Sequence, residues 1–98
     1  MDIIKVEKIN DGIKQESEGW KEEKYSSPTE FELEIFHDLS FVVIDGEAQL
    51  TVNGTEYNLK KDDLVSRKQF AKSSWKIDNS FKFNIINTFF KYYFFIHI

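Results

Sequence analysis

Residues 41–75 read FVVIDGEAQLTVNGTEYNLKKDDLVSRKQFAKSSW, and their patterning decides the fold. Phe41-Val42-Val43-Ile44 is a short continuous apolar run closed by Asp45-Gly46, a turn signal. Ala48, Leu50 and Val52 then alternate with Glu47, Gln49 and Thr51, the period of a half-buried strand. Asn53-Gly54 is the strongest hairpin signal in the chain, since both residues tolerate positive φ. Thr55 to Leu59 returns, and Lys60-Lys61-Asp62-Asp63 makes another turn before Leu64-Val65. Trp75 and Ile77 mark one more strand.

The same period extends in both directions. Upstream, Phe31, Leu33 and Ile35 alternate with Glu30, Glu32 and Glu34, giving a strand with an acidic outer face. Downstream, Asn79-Ser80 is read as a turn and Phe81, Phe83 and Ile85 as the inner face of a further strand. Residues 2–9 (DIIKVEKI) suggest a first edge strand, and Asn10-Asp11-Gly12 a turn. Between them and Pro28 lies a polar segment whose only helical piece is residues 13–18, with Trp20 and Tyr25 folding it back onto the sheets. Short strands with turns every eight to twelve residues mean a sandwich or barrel, and the chain has no room for crossover helices. The expected class is all-β, a small jelly-roll barrel with at most one short helix near the N-terminus. A chain of 98 residues is one domain. It divides into residues 1–30 (first strand and polar connection), 31–86 (barrel) and 87–98 (aromatic strand).

Composition narrows the chemistry. The net charge is −4 and Arg67 is the only arginine, so phosphate-backbone binding is not expected. The cluster Lys60, Lys61, Arg67, Lys68, Lys72 and Lys76 reads as solvated turn and strand faces. With no cysteine there are no disulfides, thiolate metal sites or cysteine nucleophiles. Met1 to Glu7 lacks the apolar core of a signal peptide, and Phe81 to Ile98 is interrupted by Lys82, Asn84, Asn87 and Lys91. The expectation is a cytoplasmic protein with no membrane or nucleic-acid partner.

The order and spacing of residues 41–75 resemble the cupin superfamily: apolar strand, Gly turn, alternating strand, Asn-Gly hairpin, acidic turn and Leu-Val. Asp62-Asp63 stands where that family usually has Gly-Asp. Trp75-Lys76-Ile77 is similar to a short single-domain branch, and the resemblance covers residues 5–86. Cupins hold a metal with two His two positions apart, a Glu seven residues before the turn Gly, and a later His. Placed on this chain, those positions hold Leu33, Ile35, Leu39 and Ser73. Leu and Ile offer no donor to a transition metal. The resemblance therefore implies a degenerate barrel with no metal and no cofactor, its interior apolar. A register shifted by one would instead bury Glu32 and Glu34 side by side, which is costly.

Other candidates carry less. His37 beside Asp38 reads as an exposed turn pair rather than a general base. His97, Ser73-Ser74 and the acidic stretch Glu16 to Glu23 show no recognisable catalytic or calcium-binding pattern. Trp20, Tyr57, Phe70 and Trp75 are aromatic candidates for a barrel mouth, and Tyr57, Arg67 and Trp75 are the expected ligand-binding residues. The tail, residues 87–98 (NTFFKYYFFIHI), carries six aromatics that one strand cannot hide in a small monomer. That predicts a homodimer through this strand. The expected function is a metal-free, non-enzymatic module that binds a small molecule or a partner. The alternatives are a metal-independent sugar or metabolite epimerase or isomerase, which needs a base that only Tyr57 could supply, and a protein-binding inhibitor.

Overall fold

The computed structural model describes residues 3–26, 28–35, 37–68 and 72–87. They form β1 (Ile4–Lys8), α1 (Asp11–Ser17), β2 (Lys21–Tyr25), β3 (Thr29–Glu34), β4 (Leu39–Gly46), β5 (Ala48–Val52), β6 (Thr55–Leu59), β7 (Asp63–Arg67), β8 (Lys72–Ile77) and β9 (Phe81–Asn87). The strands make two antiparallel sheets. One has the order β1-β7-β4-β9-β2, the other β3-β8-β5-β6. This is the all-β roll with one short helix that the alternation predicts.

Alternation decides which side chains meet between the sheets. Ala48, Leu50 and Val52 on β5 face inward, as do Ser73, Trp75 and Ile77 on β8, and all are buried. From the other sheet come Phe41 and Val43 on β4, Val65 on β7, and Phe81 and Phe83 on β9. Burying a side chain such as Leu50, which is 0% exposed, stabilises the fold by about 1.5–3 kcal/mol. Val42 and Asn84 are register partners on the opposite face of the five-stranded sheet and are also buried. The short helix α1 lies against β4.

The turns follow from residue chemistry. Asn53 (φ 50°) and Gly54 (φ 78°) both adopt positive φ and join β5 to β6, with Val52 opposite Thr55. Asp63 opens β7 and its carboxylate accepts the Lys60 backbone N–H at 2.9 Å, while its own N–H donates to the Lys60 carbonyl at 3.1 Å. The carboxylate also pairs with Lys8 at 3.3 Å, so a buried charge is tied both to its turn and to the neighbouring edge strand.

Three local expectations are corrected. Residues 21–25 form a strand, β2, where the sequence suggested only polar connection. Its side chains are almost all charged because it is an edge strand; of the face it shares with Phe81, Phe83 and Ile85, only Tyr25 is apolar. Asn10-Asp11-Gly12 is a helix start rather than a turn, since the Asn10 side chain accepts the Ile13 N–H at 2.9 Å and caps α1. Asp45-Gly46 is not a tight turn either. The register of β4 on β9 shifts between Val43 and Asp45, and the chain leaves β4 through Gly46 (φ 80°) to enter the other sheet. Of the predicted aromatic strand at 87–98, Asn87 ends β9 and residues 88–98 lie outside the described residues.

Candidate functional site

One end of the roll encloses a small chamber of about 60 Å³. Its walls come from both sheets: Phe31 and Leu33 of β3 and Trp75 of β8 on one side, Leu39 and Phe41 of β4 and Phe83 and Ile85 of β9 on the other. Ile35 follows β3, and Tyr25 ends β2. The aromatic walls are in mutual contact. Phe31 stacks on Trp75 at 6.0 Å between ring centroids, Trp75 meets Phe41 at 5.7 Å, and Phe41 meets Phe83 at 5.2 Å.

A single charged side chain lines this space among the described residues. Arg67 ends β7, opposite Leu39 in register, and is only 2% exposed. Its Nη1 donates to Ser73 Oγ at 2.9 Å, and the Ser73 hydroxyl donates to the Leu33 carbonyl at 3.1 Å. Ser73 is the register partner of Leu33, so the hydroxyl joins β3, β8 and the guanidinium. Burial lowers the Arg67 pKa, but arginine starts so far above neutrality that the group stays charged. The Trp75 indole N–H is buried with no hydrogen-bond acceptor among the described residues.

The chamber reaches the surface at Tyr25 and Leu33. These are the two exposed large hydrophobic side chains among the described residues, at 37% and 43%, and both line it. At the other end of β4 an open groove of about 670 Å³ runs over Gly46, Gln49, Asn58, Lys60 and Asp78. Its lining is mostly exposed and polar and no buried charge faces it, which marks it as surface relief.

Of the expected ligand-binding residues, Arg67 and Trp75 meet in the chamber. Tyr57 does not line it. It sits half-buried on β6, opposite Leu50, at the far edge of the sheet from β3. Arg67 is also withdrawn from the surface lysine cluster in which the sequence groups it. His37 is half-buried outside the chamber lining, and its neighbour Asp38 pairs with Lys68 at 3.5 Å. Phe70 lies outside the described residues. Tyr25, Phe41, Phe83 and Ile85 complete the walls, although the sequence does not single them out as ligand-binding; for the last three, inward alternation is the available signal.

No protein-family model and no curated protein sequence matches the chain. Solved structures do. A DUF861 family protein from Thermotoga maritima superposes with a TM-score of 0.79 at 21% identity, over 86% of this chain and 98% of that one. A cupin superfamily protein from Desulfitobacterium hafniense superposes with a TM-score of 0.62 at 15% identity, over 86% and 75% of the two chains. The fold is the cupin fold. The Clostridium difficile EutQ protein shares it, with a TM-score of 0.60 at 17% identity over 84% of this chain and 59% of that one.

The four positions that the sequence resemblance matches to cupin metal ligands converge in space. Leu33, Ile35 and Leu39 line the chamber, and Ser73 holds the arginine that lines it with them. These residues do not fit a metal. Three have no donor atom, and the fixed guanidinium would repel a divalent cation in a poorly screened space. Glu32 and Glu34, which a shifted register would turn inward, are exposed.

Proposed function

We propose that this cupin domain binds a small molecule in the chamber between its sheets, without a metal and without catalysing a reaction. The observation that carries the reading is the apolar chamber itself, lined by Leu33, Ile35 and Leu39, which the resemblance matches to metal-ligand positions, and by an arginine that Ser73 holds. Apolar walls with a few convergent polar groups are what small-molecule sites are made of. Catalysis by proton transfer has no support there: among the described residues no His, Asp, Glu or Lys lines the chamber, and Tyr57 lies elsewhere.

Two measurements test this. Protein purified without chelator is expected to carry far less than one equivalent of Fe, Mn, Ni or Zn by elemental analysis, and a stoichiometric metal would overturn the reading. In a Trp20→Phe background, which leaves one indole, a panel of small organic molecules is expected to shift the Trp75 indole N–H resonance saturably. If no member of the panel does so, the domain is not a small-molecule binder.

The homodimer belongs to the same proposal and is supported by the six aromatics of residues 87–98. Light scattering on the full chain at micromolar concentration is expected to give twice the 11.7 kDa chain mass. A monomer there removes the dimer from the proposal and leaves the chamber untouched.

A further inference from the structure

We propose that the surface at Tyr25 and Leu33, where the chamber opens, is the seat of residues 88–98 from a second copy of this chain, so that two copies cover each other's chamber mouths. This rests on the homodimer reading and names the surface that the dimer uses. Apolar exposure is the first argument. Tyr25 and Leu33 are the two exposed large hydrophobic side chains among the described residues, and they border one opening. Half-buried Phe31 joins them: its ring lies 5.3 Å from that of Tyr25 and lines the same wall. β2 and β3, which carry these residues, are each the edge strand of their sheet. Apolar side chains gathered beside two open sheet edges form a surface that another chain can cover.

Position is the second argument, and it selects a second copy over the chain itself. β9 ends at Asn87, the register partner of Leu39. Tyr25 pairs with Phe81, at the opposite end of the same strand and about 20 Å back along it. To cover its own Tyr25, the segment 88–98 (TFFKYYFFIHI) would have to reverse direction soon after leaving β9. It contains no Gly, Pro, Asn or Asp, the residues that make reversals, and is dominated by aromatic and β-branched types that favour extended backbone. Extended, such a segment reaches about 35 Å beyond β9, far enough to lie across a neighbouring molecule. A two-fold arrangement lets each copy do this to the other.

Charge and area are the third. The segment carries Lys91 and no acidic side chain, whereas Glu32, exposed beside Leu33, stands opposite Ser74 rather than a lysine in the register of β3 on β8. The two signs attract across the contact. Six aromatic side chains per copy, at about 150–250 Å² each, provide enough surface for the roughly 1,200–2,000 Å² of a stable interface once the exchange is reciprocal.

The test is disulfide trapping in the full chain, which has no cysteine of its own to confuse the result. A chain carrying Leu33→Cys is mixed in turn with a size-tagged chain carrying Phe90→Cys, Tyr92→Cys, Tyr93→Cys or Phe94→Cys, and the mixtures are oxidised. Four positions are scanned because a disulfide needs the two Cα atoms within about 7 Å. A link between tagged and untagged chains is expected for at least one of them. Asn58→Cys, exposed at the far edge of the sheet from β3, is expected to give none. Leu33→Glu is expected to raise the dimer dissociation constant tenfold or more by sedimentation equilibrium, since it places a charge in an apolar contact. No link at any of the four positions, or a dimer as tight with Leu33→Glu as without it, would overturn the assignment of this surface and leave a homodimer standing. A native chain that is monomeric removes the homodimer and this inference together. If a chain carrying Leu33→Cys and Tyr92→Cys closes on itself instead, the segment covers its own mouth and the second copy is overturned. The trapping uses the native Leu33 in every tagged chain, so it decides the matter even if Leu33→Glu does not fold.

Discussion

Gly46→Ala is expected to remove more than about 3 kcal/mol of stability, a large share of the 5–15 kcal/mol a domain of this kind possesses. Gly46 has φ 80°, a conformation that costs a residue with a Cβ about 1–2 kcal/mol. Crowding costs more. A Cβ at Gly46 would lie 2.1 Å from the Ser80 carbonyl oxygen, 2.8 Å from its carbon and 3.1 Å from Phe81 Cα. These are backbone atoms, so no side chain can swing aside. The entry to β9 would have to move, and Phe81, which is 1% exposed and the register partner of Gly46, would move with it. Gly54→Ala is the control. Its φ is 78°, but no atom lies within 4 Å of the added Cβ, so only the conformational cost of about 1–2 kcal/mol remains. Urea unfolding midpoints of the two variants separate crowding from conformational cost. Equal midpoints would mean that backbone sign, not the close approach of Ser80, governs this corner.

The Gly46 corner also shows what a sequence can and cannot convey. Asp45-Gly46 announces that the chain changes direction, and it does. Whether it reverses within one sheet or crosses to the other depends on what packs behind the glycine, here Ser80, which is 34 positions away and leaves no trace in local spacing. The inward faces of β3, β5, β8 and β9 are legible because period-two alternation is a direct consequence of strand geometry. β2 is not, because an edge strand with charged neighbours needs few apolar residues to hold its place.

The site divides in the same way. Leu33, Ile35, Leu39 and Ser73 can be brought together from the sequence because the resemblance to the cupin motifs matches them to one set of ligand positions. Tyr57 is misplaced by the sequence because alternation gives the face of a strand and not its rank across the sheet. β6 lies at the opposite edge from β3, with β8 and β5 between them. The bond from Arg67 to Ser73 is invisible for a third reason. It spans the connection between two strands that belong to different sheets, and only the closing of the roll brings their inner faces together.

Trp75→Ala is expected to cost about 3–5 kcal/mol and to lower the Tm by well over 10 °C. Trp75 is 7% exposed and packs against Phe31, Phe41 and Phe81, so its removal leaves three aromatic partners without their contact surface. The space it vacates adjoins the chamber, because Trp75 is one of its walls. The enlarged cavity is expected to accept an aromatic ring that the native chamber is too small to hold. A ligand that binds the folded state alone at about 100 times its Kd returns about 2.7 kcal/mol, which is enough to recover much of the lost Tm. Millimolar benzamide is therefore expected to raise the Tm of the variant by several degrees and to leave the native protein unchanged. If Trp75→Ala fails to fold, Trp75→Leu makes a smaller cavity for the same comparison. No stabilisation of the variant by benzamide would show that the vacated space collapses rather than joining the chamber. Stabilisation of the native protein by benzamide would show that Tyr25 and Leu33 yield more readily than their packing implies.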